Sequence, residues 1–395
     1  MSLKRARNIA DLRVLARRLL PAPMFHYIDG GADDEWTLRR NTAAFDDCVL
    51  EPRVLRDVSS VDLSTRVLGC ELKLPFFLSP TGMSRLFHID KEPGAARAAA
   101  RAGTLYSLST MATTSLEDVA RASDGPKMFQ LYLFKDRGLT AELVQRCRAA
   151  GYRALCLTVD TALAGNRERD LAHGMTLPPR IGLRSFFSYA TSFRWLLQMA
   201  RDHDFTLANV AHRVDALRGG AMGVIDYVNS QFDRSVTWKD AEWLIREWNG
   251  PFAIKGLTAV DDARRAASIG ASAVMLSNHG GRQLDGGPAP FDVLPAVRDA
   301  VGDGLELIVD GGVRRGTHVL KALALGANAC SIGRPYLYGL AAGGEAGAAR
   351  AIELLAAETA RSLALLGCRR VDELGAAHVR MAARRGEAAA LERAA

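Results

Sequence analysis

A chain of 395 residues, 48% hydrophobic and 24% charged, is long enough for one large domain or two ordinary ones, and its composition excludes a disordered protein. The 51 Lys+Arg against 44 Asp+Glu leave a net +7 spread along the chain, which argues against a nucleic-acid surface. Six cysteines without a Cys-x-x-Cys pair, no apolar run of signal-peptide length, and no stretch of about 18 apolar residues point to a cytoplasmic, reducing location, with no structural metal and no membrane span.

Asn8 is the expected N-cap of a helix running to Leu20, with Ile9, Leu12, Leu15, Ala16 and Leu19 on one side and Pro21 as its stop. Two shorter helices follow, Pro23 to Asp29, closed by Gly30-Gly31, and Asp33 to Ala44. Together they form an N-terminal helical cap and lead-in over residues 1–74, with Tyr27 at the glycine end of the second helix.

From residue 75 the chain alternates short apolar runs with amphipathic segments, the pattern of parallel α/β architecture. The strands are predicted at Pro75 to Ser79, Thr104 to Leu108, Met128 to Leu133, Ala154 to Val159, Phe252 to Lys255, Ala273 to Ser277, Glu306 to Asp310 and Asn328 to Ile332. Helices are predicted between them, several ending in Gly (Gly103, Gly151, Gly270, Gly326). Eight such units predict an α/β fold, a (β/α)8 TIM barrel over 75–370. A long insertion after strand 4, at about 161–250, interrupts it. An insertion of that length is usually functional. Its aromatic middle, Phe186 to Leu217, reads as a helix packed on the barrel exterior, with a lid, an oligomer contact or a membrane-touching surface through 183–217 as alternatives. Thr237 caps a helix to Trp248, and helices at Glu345 to Leu366 and Val371 to Arg384 precede a frayed tail, giving 371–395 as C-terminal helix and tail.

Barrels of this kind gather active residues at the C-terminal strand ends. Those ends present Ser79 to Gly82, Ser109 to Met111, Gln130 and Tyr132, Thr158 and Asp160, Lys255, Ser277 with His279 and Arg282, Asp310 to Gly312, and Gly333-Arg334. His279 can carry a proton near neutral pH, and Arg282 offers a fork that matches a carboxylate, a pairing suited to proton chemistry on an organic acid. The turns Asp310-Gly-Gly-Val-Arg314-Arg-Gly and Gly333-Arg334-Pro follow the seventh and eighth strands, where such barrels seat a phosphate. No Gly-x-Gly-x-x-Gly follows a strand, so a Rossmann-held nicotinamide is disfavoured. A flavin mononucleotide, with Lys255 near its pyrimidine edge, fits one phosphate site.

These motifs, with Phe25-His-Tyr27-Ile-Asp-Gly-Gly-Ala-Asp-Asp-Glu-Trp-Thr-Leu and Ser277-Asn-His279-Gly-Gly-Arg282-Gln-Leu-Asp, closely resemble the FMN-dependent L-2-hydroxy acid dehydrogenase and oxidase family. That family includes lactate dehydrogenases, mandelate dehydrogenases and glycolate oxidases. The likeness runs from Asn8 to about Ala377. It implies His279 as the base at the substrate's Cα-OH centre, with Asp160 stabilising its imidazolium. It implies Arg282 and Arg167, helped by Tyr27, on the carboxylate, and Tyr132 on the hydroxyl oxygen. FMN would be held by Thr81, Gly82, Ser109, Gln130, Thr158, Lys255, Ser277, Asp310, Gly312, Arg314, Gly333 and Arg334. Met111 stands where glycolate oxidases carry Trp, leaving room for a larger substrate side chain, and Asn166 stands where many members have a further Arg. Gly82 leaves the flavin's reactive edge less crowded than Ala would.

The resemblance implies oxidation of a lactate- or mandelate-type acid, with electrons passing to a quinone or cytochrome-type acceptor. It also implies a homo-oligomer, a tetramer by likeness, with peripheral contact to the inner face of the plasma membrane as an option. The alternatives are an oxidase using dioxygen and releasing peroxide, an FMN barrel for isomerisation or nucleotide reduction, and a non-catalytic FMN-binding scaffold.

Overall fold

The computed structural model describes residues 2–175, 183–202, 205–213 and 232–381. Eight parallel strands, Phe76–Thr81, Tyr106–Ser109, Lys127–Leu131, Ala154–Thr158, Phe252–Leu257, Ala273–Ser277, Glu306–Asp310 and Ala329–Ile332, close into a barrel. Closure runs through Cys330 beside Phe76 and Ile332 beside Leu78. Every strand expected from the sequence is present, with ends shifted by no more than two residues.

The two-residue period of these strands explains both their burial and the placement of polar groups. Alternate residues such as Leu78, Tyr106, Phe129, Leu155, Ile254 and Val274 face the surrounding helices in the larger core. Their neighbours Phe77, Leu105, Met128, Ala154, Cys156, Ala253, Met275, Ile308 and Ala329 fill the barrel interior. Val67, Leu68, Cys70 and Leu72, from the hairpin of Thr65–Val67 and Cys70–Leu72, pack into that interior cluster. Continued toward the C-terminal ends, the inward phase passes from apolar residues to Ser79, Ser109, Gln130, Thr158, Lys255, Ser277, Asp310 and Ser331, all buried. One strand phase thus supplies both core and site.

The N-terminal helices are α1 (Ile9–Leu19), α2 (Ala22–Asp29) and α3 (Trp36–Ala43). The Asn8 side chain caps α1 by accepting from Asp11 N at 2.9 Å. The third helix starts later than predicted because Gly30 to Glu35 docks against other loops instead. Asp33 and Glu35 take left-handed backbones, Ala32 N donates to Gly281 O at 2.8 Å, and Asp33 N donates to Asn166 O at 2.8 Å.

After the last strand a helix spans Arg334–Leu365, broken at Gly343 and Gly344, so helix begins earlier than the predicted Glu345. The helix expected at Val371 to Arg384 is corrected. Val371–Glu373 and Ala376–His378 are 3-10 turns, and Val379–Met381 pairs antiparallel with Cys48–Leu50. Backbone pairing to that strand outweighs the helical spacing there; residues 382–395, the end of that expected helix and the expected tail, lie outside the described residues. All six cysteines are buried and free.

Within the insertion lie helices Glu168–Ala172, Leu183–Thr191, Phe193–Arg201 and Trp238–Trp248. Trp195 Nε1 donates to Leu86 O at 2.8 Å and Arg85 donates to Gln198 O at 2.9 Å, which seats Phe193–Arg201 on the loop after the first strand. Its other side leaves Phe193, Leu196 and Leu197 exposed, as is Phe187 on the preceding helix. Of the segment 183–217 read as a surface, 203–204 and 214–217 lie outside the described residues.

His318, on the helix Gly316–Ala324, stacks on Phe45 at 4.4 Å with the rings 10° apart. Burial, then the Lys321 charge, pushes its imidazole down to about 4. His26, stacked on His173 at 3.7 Å, is likewise pushed to about 4, by burial and then by His173. Unfolded histidines take up a proton near pH 6.5, so below that value the unfolded state binds more protons than the folded one. Stability should therefore fall as pH drops from about 6.5 toward 4. In thermal melts across this range, His318→Gln should lose less melting temperature on acidification than the parent does. Equal losses would show that His318 titrates alike in both states.

Candidate active site

The loop after the sixth strand turns sharply at His279, which holds a left-handed backbone with φ 58°, followed by left-handed Gly280 and Gly281. The glycines are required by close approach: a Cβ on Gly281 would stand 2.5 Å from Leu38 N, and one on Gly280 would stand 2.7 Å from the Arg334 guanidinium. Ser277 Oγ accepts from His279 N at 3.0 Å and steadies the turn. The strained residue is thereby aimed across the barrel mouth.

His279 Nδ1 lies 2.9 Å from Asp160 Oδ1, and no described residue hydrogen-bonds His279 Nε2. Burial works against charge on Asp160, but His279 and Lys255 hold its carboxyl below the usual range. Gln283 Nε2 donates to Asp160 O at 2.7 Å, fixing the segment that carries it.

Beside this pair, the Tyr27 ring at the end of α2 is flanked by two guanidinium groups, Arg282 at 4.8 Å and Arg167 at 5.6 Å. Arg282 Nη1 donates to Tyr27 O at 2.6 Å and Gly30 O at 3.1 Å. Its Nη2 stands 3.8 Å from Asp170 Oδ2, and Arg167 Nη1 stands 3.7 Å from the same oxygen, both too far for a hydrogen bond. Those donors remain available to an incoming carboxylate. Burial, then the neighbouring Arg167, pushes Arg282 down to about 10.

Lys255, in the fifth strand, is buried. Its Nζ lies 3.0 Å from Asp310 Oδ2 and donates to Ser277 Oγ at 3.0 Å. Burial alone would lower its pKa, yet Asp310 and then Asp160 raise it overall, so the ammonium is retained. Burial opposes ionisation of Asp310 as well, but Lys255 and three serine hydroxyls bring it to about 2. Asp310 accepts from Ser79 at 2.5 Å, from Ser277 at 2.8 Å and from Ser331, which fills its carboxylate with protein partners.

Ser109 Oγ donates to Gln130 Oε1 at 2.9 Å, while Gln130 Nε2 and Thr158 Oγ1 are buried without a partner among the described residues. Buried orphan donors of this kind call for a ligand with acceptors and donors of its own. Thr81 Oγ1 bonds to the Tyr336 hydroxyl, and Gly82 lies against Met111, whose Cβ would be 2.8 Å from a Cβ at Gly82. At the seventh strand end, a Cβ on Gly312 would be 1.8 Å from Asn41 O, and Arg314 is half-buried. Arg334 gives its guanidinium to the carbonyls of Ile28, Gly280 and Gly30 at 2.9, 2.9 and 2.7 Å. At the Gly333-Arg334 turn, the start of Arg334–Leu365, this leaves backbone N–H groups rather than the guanidinium to face an anion. The residues present therefore fit a flavin phosphate and a polar heterocycle edge.

The sequence reading passed over a supporting set. Asp170 is the buried carboxylate facing both Arg167 and Arg282. Arg169 bridges Asp29, at 2.9 Å, and Glu35, so the opening of the insertion is clamped to α2. Asp29 also takes Arg13 and the Tyr338 hydroxyl. The usable signal was the spacing of Arg167, Arg169 and Asp170 at the start of one short helix, read with the acidic residues of the Tyr27 motif.

Comparison with known proteins bears on the family and the fold. The sequence model described as FMN-dependent dehydrogenase matches residues 16–381. A putative L-lactate dehydrogenase of Mycobacterium tuberculosis is 42% identical over 96% of this chain and 91% of its own length. An L-lactate oxidase of a Nostoc species is 43% identical over 93% of this chain and 96% of its own. Among solved structures, a monotopic membrane protein, (S)-mandelate dehydrogenase, superposes with a TM-score of 0.92 at 36% identity, over 95% of this chain and all of that one. With the family model matched over nearly its whole length and relatives 42% and 43% identical, the chain belongs to the FMN-dependent dehydrogenase family.

Proposed function

We propose that this protein oxidises an L-2-hydroxy acid of lactate or mandelate type to the 2-oxo acid, using FMN. The observation that carries this reading is the His279–Asp160 pair at 2.9 Å set beside Arg167 and Arg282 across the Tyr27 ring. FMN, when bound, supplies a two-electron acceptor at the barrel mouth. Gln130, Thr158, Ser109 and Lys255 would hold its ring, with Ser277 and Asp310 fixing Lys255. Gly312, Arg314, Gly333 and the backbone at Arg334 would hold its phosphate, and Thr81-Gly82 would border the ring.

The substrate carboxylate enters between Arg282 and Arg167, whose donors Asp170 neutralises without consuming. Tyr27 limits the depth of that slot. His279 Nε2 takes a proton from the Cα-OH centre, and ionised Asp160 stabilises the imidazolium formed. The half-buried Tyr132 phenol, its pKa raised by desolvation and by Asp160, stays protonated and donates to the hydroxyl oxygen. Met111 borders the side-chain pocket and admits a larger group than an indole there would.

For the acceptor, our reading is a quinone or cytochrome-type partner reached at a membrane surface, the chain being peripheral on the cytoplasmic side. Among the described residues no helix is long and apolar enough to cross a membrane, while Phe187, Phe193, Leu196 and Leu197 are exposed on adjoining helices. The superposed (S)-mandelate dehydrogenase, a monotopic membrane protein, supports that reading. The Nostoc L-lactate oxidase keeps dioxygen as the second reading. Assembly as a homo-oligomer, a tetramer, completes the proposal.

The purified protein should be yellow, and anaerobic L-lactate or L-mandelate should bleach it while their mirror images do not. The faster acid reports the pocket beside Met111. A protein that binds no FMN, or whose colour persists with every 2-hydroxy acid, would overturn the reading. Peroxide release as fast as dye reduction would replace the acceptor with dioxygen.

A further inference from the structure

Where the insertion returns to the barrel, Phe232 forms an antiparallel bridge with Phe134 just beyond the third strand. Its ring meets the Tyr132 ring at 5.0 Å with the planes 82° apart, and stands 6.1 Å from the Phe134 ring. Arg137, at the start of the helix Arg137–Ala149, secures this arrangement. It donates to Phe134 O, to Asp233 Oδ2 at 2.8 Å and to Asp240 Oδ1 at 2.8 Å. Asp240 in turn accepts from Thr237 N and Oγ1 at 2.8 and 3.0 Å in the first turn of Trp238–Trp248. One guanidinium thereby ties the loop after the third strand to both ends of the segment Phe232 to Asp240.

Tyr132 itself lies past the last residue of its strand, Leu131, and no described residue hydrogen-bonds its hydroxyl. Ring packing, rather than a polar anchor, therefore aims the phenol. A turn of the ring about its side-chain torsions would carry the oxygen away from the point where a substrate hydroxyl must meet it.

We propose that Phe232 is a positioning residue that acts through Tyr132, holding the phenol at the substrate's hydroxyl oxygen, with Arg137 as the latch that keeps Phe232 in place. The inference rests on the role given to Tyr132 above. It assigns the last part of the insertion to the catalytic geometry, in addition to its place on the barrel surface.

The test is a cycle of Phe232→Ala, Tyr132→Phe and the double variant, read by anaerobic stopped-flow bleaching of bound FMN and by calorimetry with the 2-oxo acid product. Phe232→Ala should slow bleaching roughly tenfold while FMN stays bound and product affinity changes by less than about twofold. On the Tyr132→Phe background, the same change should alter the rate by less than about twofold, because the group it positions is already gone. Phe232→Leu, which retains most of the apolar contact, should recover much of the loss; if Phe232→Ala does not fold, Arg137→Gln, which keeps the ring but releases its latch, takes its place in the cycle. Equal fold-losses on both backgrounds would overturn the proposal while leaving Tyr132 in its role. If Tyr132→Phe alone costs nothing, the role of Tyr132 falls, and the proposal with it.

Discussion

Replacing His279 with alanine should lower the rate of substrate-driven flavin bleaching by on the order of 10³-fold or more, while FMN remains bound. Its imidazole Nδ1 is committed to Asp160 at 2.9 Å, so Nε2 is the atom presented to the substrate. None of its side-chain contacts belongs to the orphan donors, Gln130 and Thr158, that await the heterocycle. Cofactor affinity should therefore survive the loss of the base. Asp160→Asn should cost less than His279→Ala, because Nε2 remains while the charge that stabilises the imidazolium is removed. The double variant should be no worse than His279→Ala alone, since a partner of an absent base has nothing left to stabilise. The measurements are single-turnover bleaching and FMN retention on gel filtration. Turnover by His279→Ala at the parent rate would remove His279 from its role.

Lys255→Met should be costly in a different way. The ammonium lies 3.0 Å from Asp310 in a site closed to solvent, and removing one partner of a buried pair leaves the other charge uncompensated, at about 3–5 kcal/mol. Ser79, Ser277 and Ser331 still donate to Asp310, which places the expected loss toward the lower end of that range. FMN-free protein should therefore melt at a lower temperature when Lys255 is Met. Adding Asp310→Asn should restore much of the melting temperature, because a neutral amide no longer needs the cation. The rate should not return, since the positive charge we propose for the flavin's pyrimidine edge is absent from both variants. A double variant no more stable than Lys255→Met would show that Asp310 does not depend on Lys255. Recovery of rate in the double variant would remove Lys255 from catalysis.

Much of this was legible in the order of residues. Each strand announces itself as a short apolar run, because a parallel strand in a closed barrel is buried on both faces, as Ala273–Ser277 is along its whole length. The polar residues that end those runs share an inward phase, so a list of strand ends was close to a list of the polar residues gathered at the barrel mouth. The C-terminal segment was misread because Val371 to Met381 carries helical spacing, whereas its backbone finds a partner strand at Cys48–Leu50, more than three hundred residues earlier in the chain. No local pattern reports a partner that distant. The start of α3 was misplaced for a similar reason: Asp33 and Glu35 are held left-handed by the docking of Ala32 and Asp33 onto Gly281 and Asn166.

By itself the sequence determined the barrel and the insertion, because these rest on local periodicity, while its resemblance to a known family marked His279, Asp160, Arg167, Arg282, Lys255 and the two glycine turns as candidates. Only the tertiary structure decided how they are used. It placed Asp310 beneath Lys255 as a saturated counter-ion and turned the Arg334 guanidinium toward backbone carbonyls. It also set Asp170 between two arginines and brought Phe232 onto Tyr132. Charge compensation and packing are settled by distances across the barrel mouth, and those distances exist only once the barrel has closed.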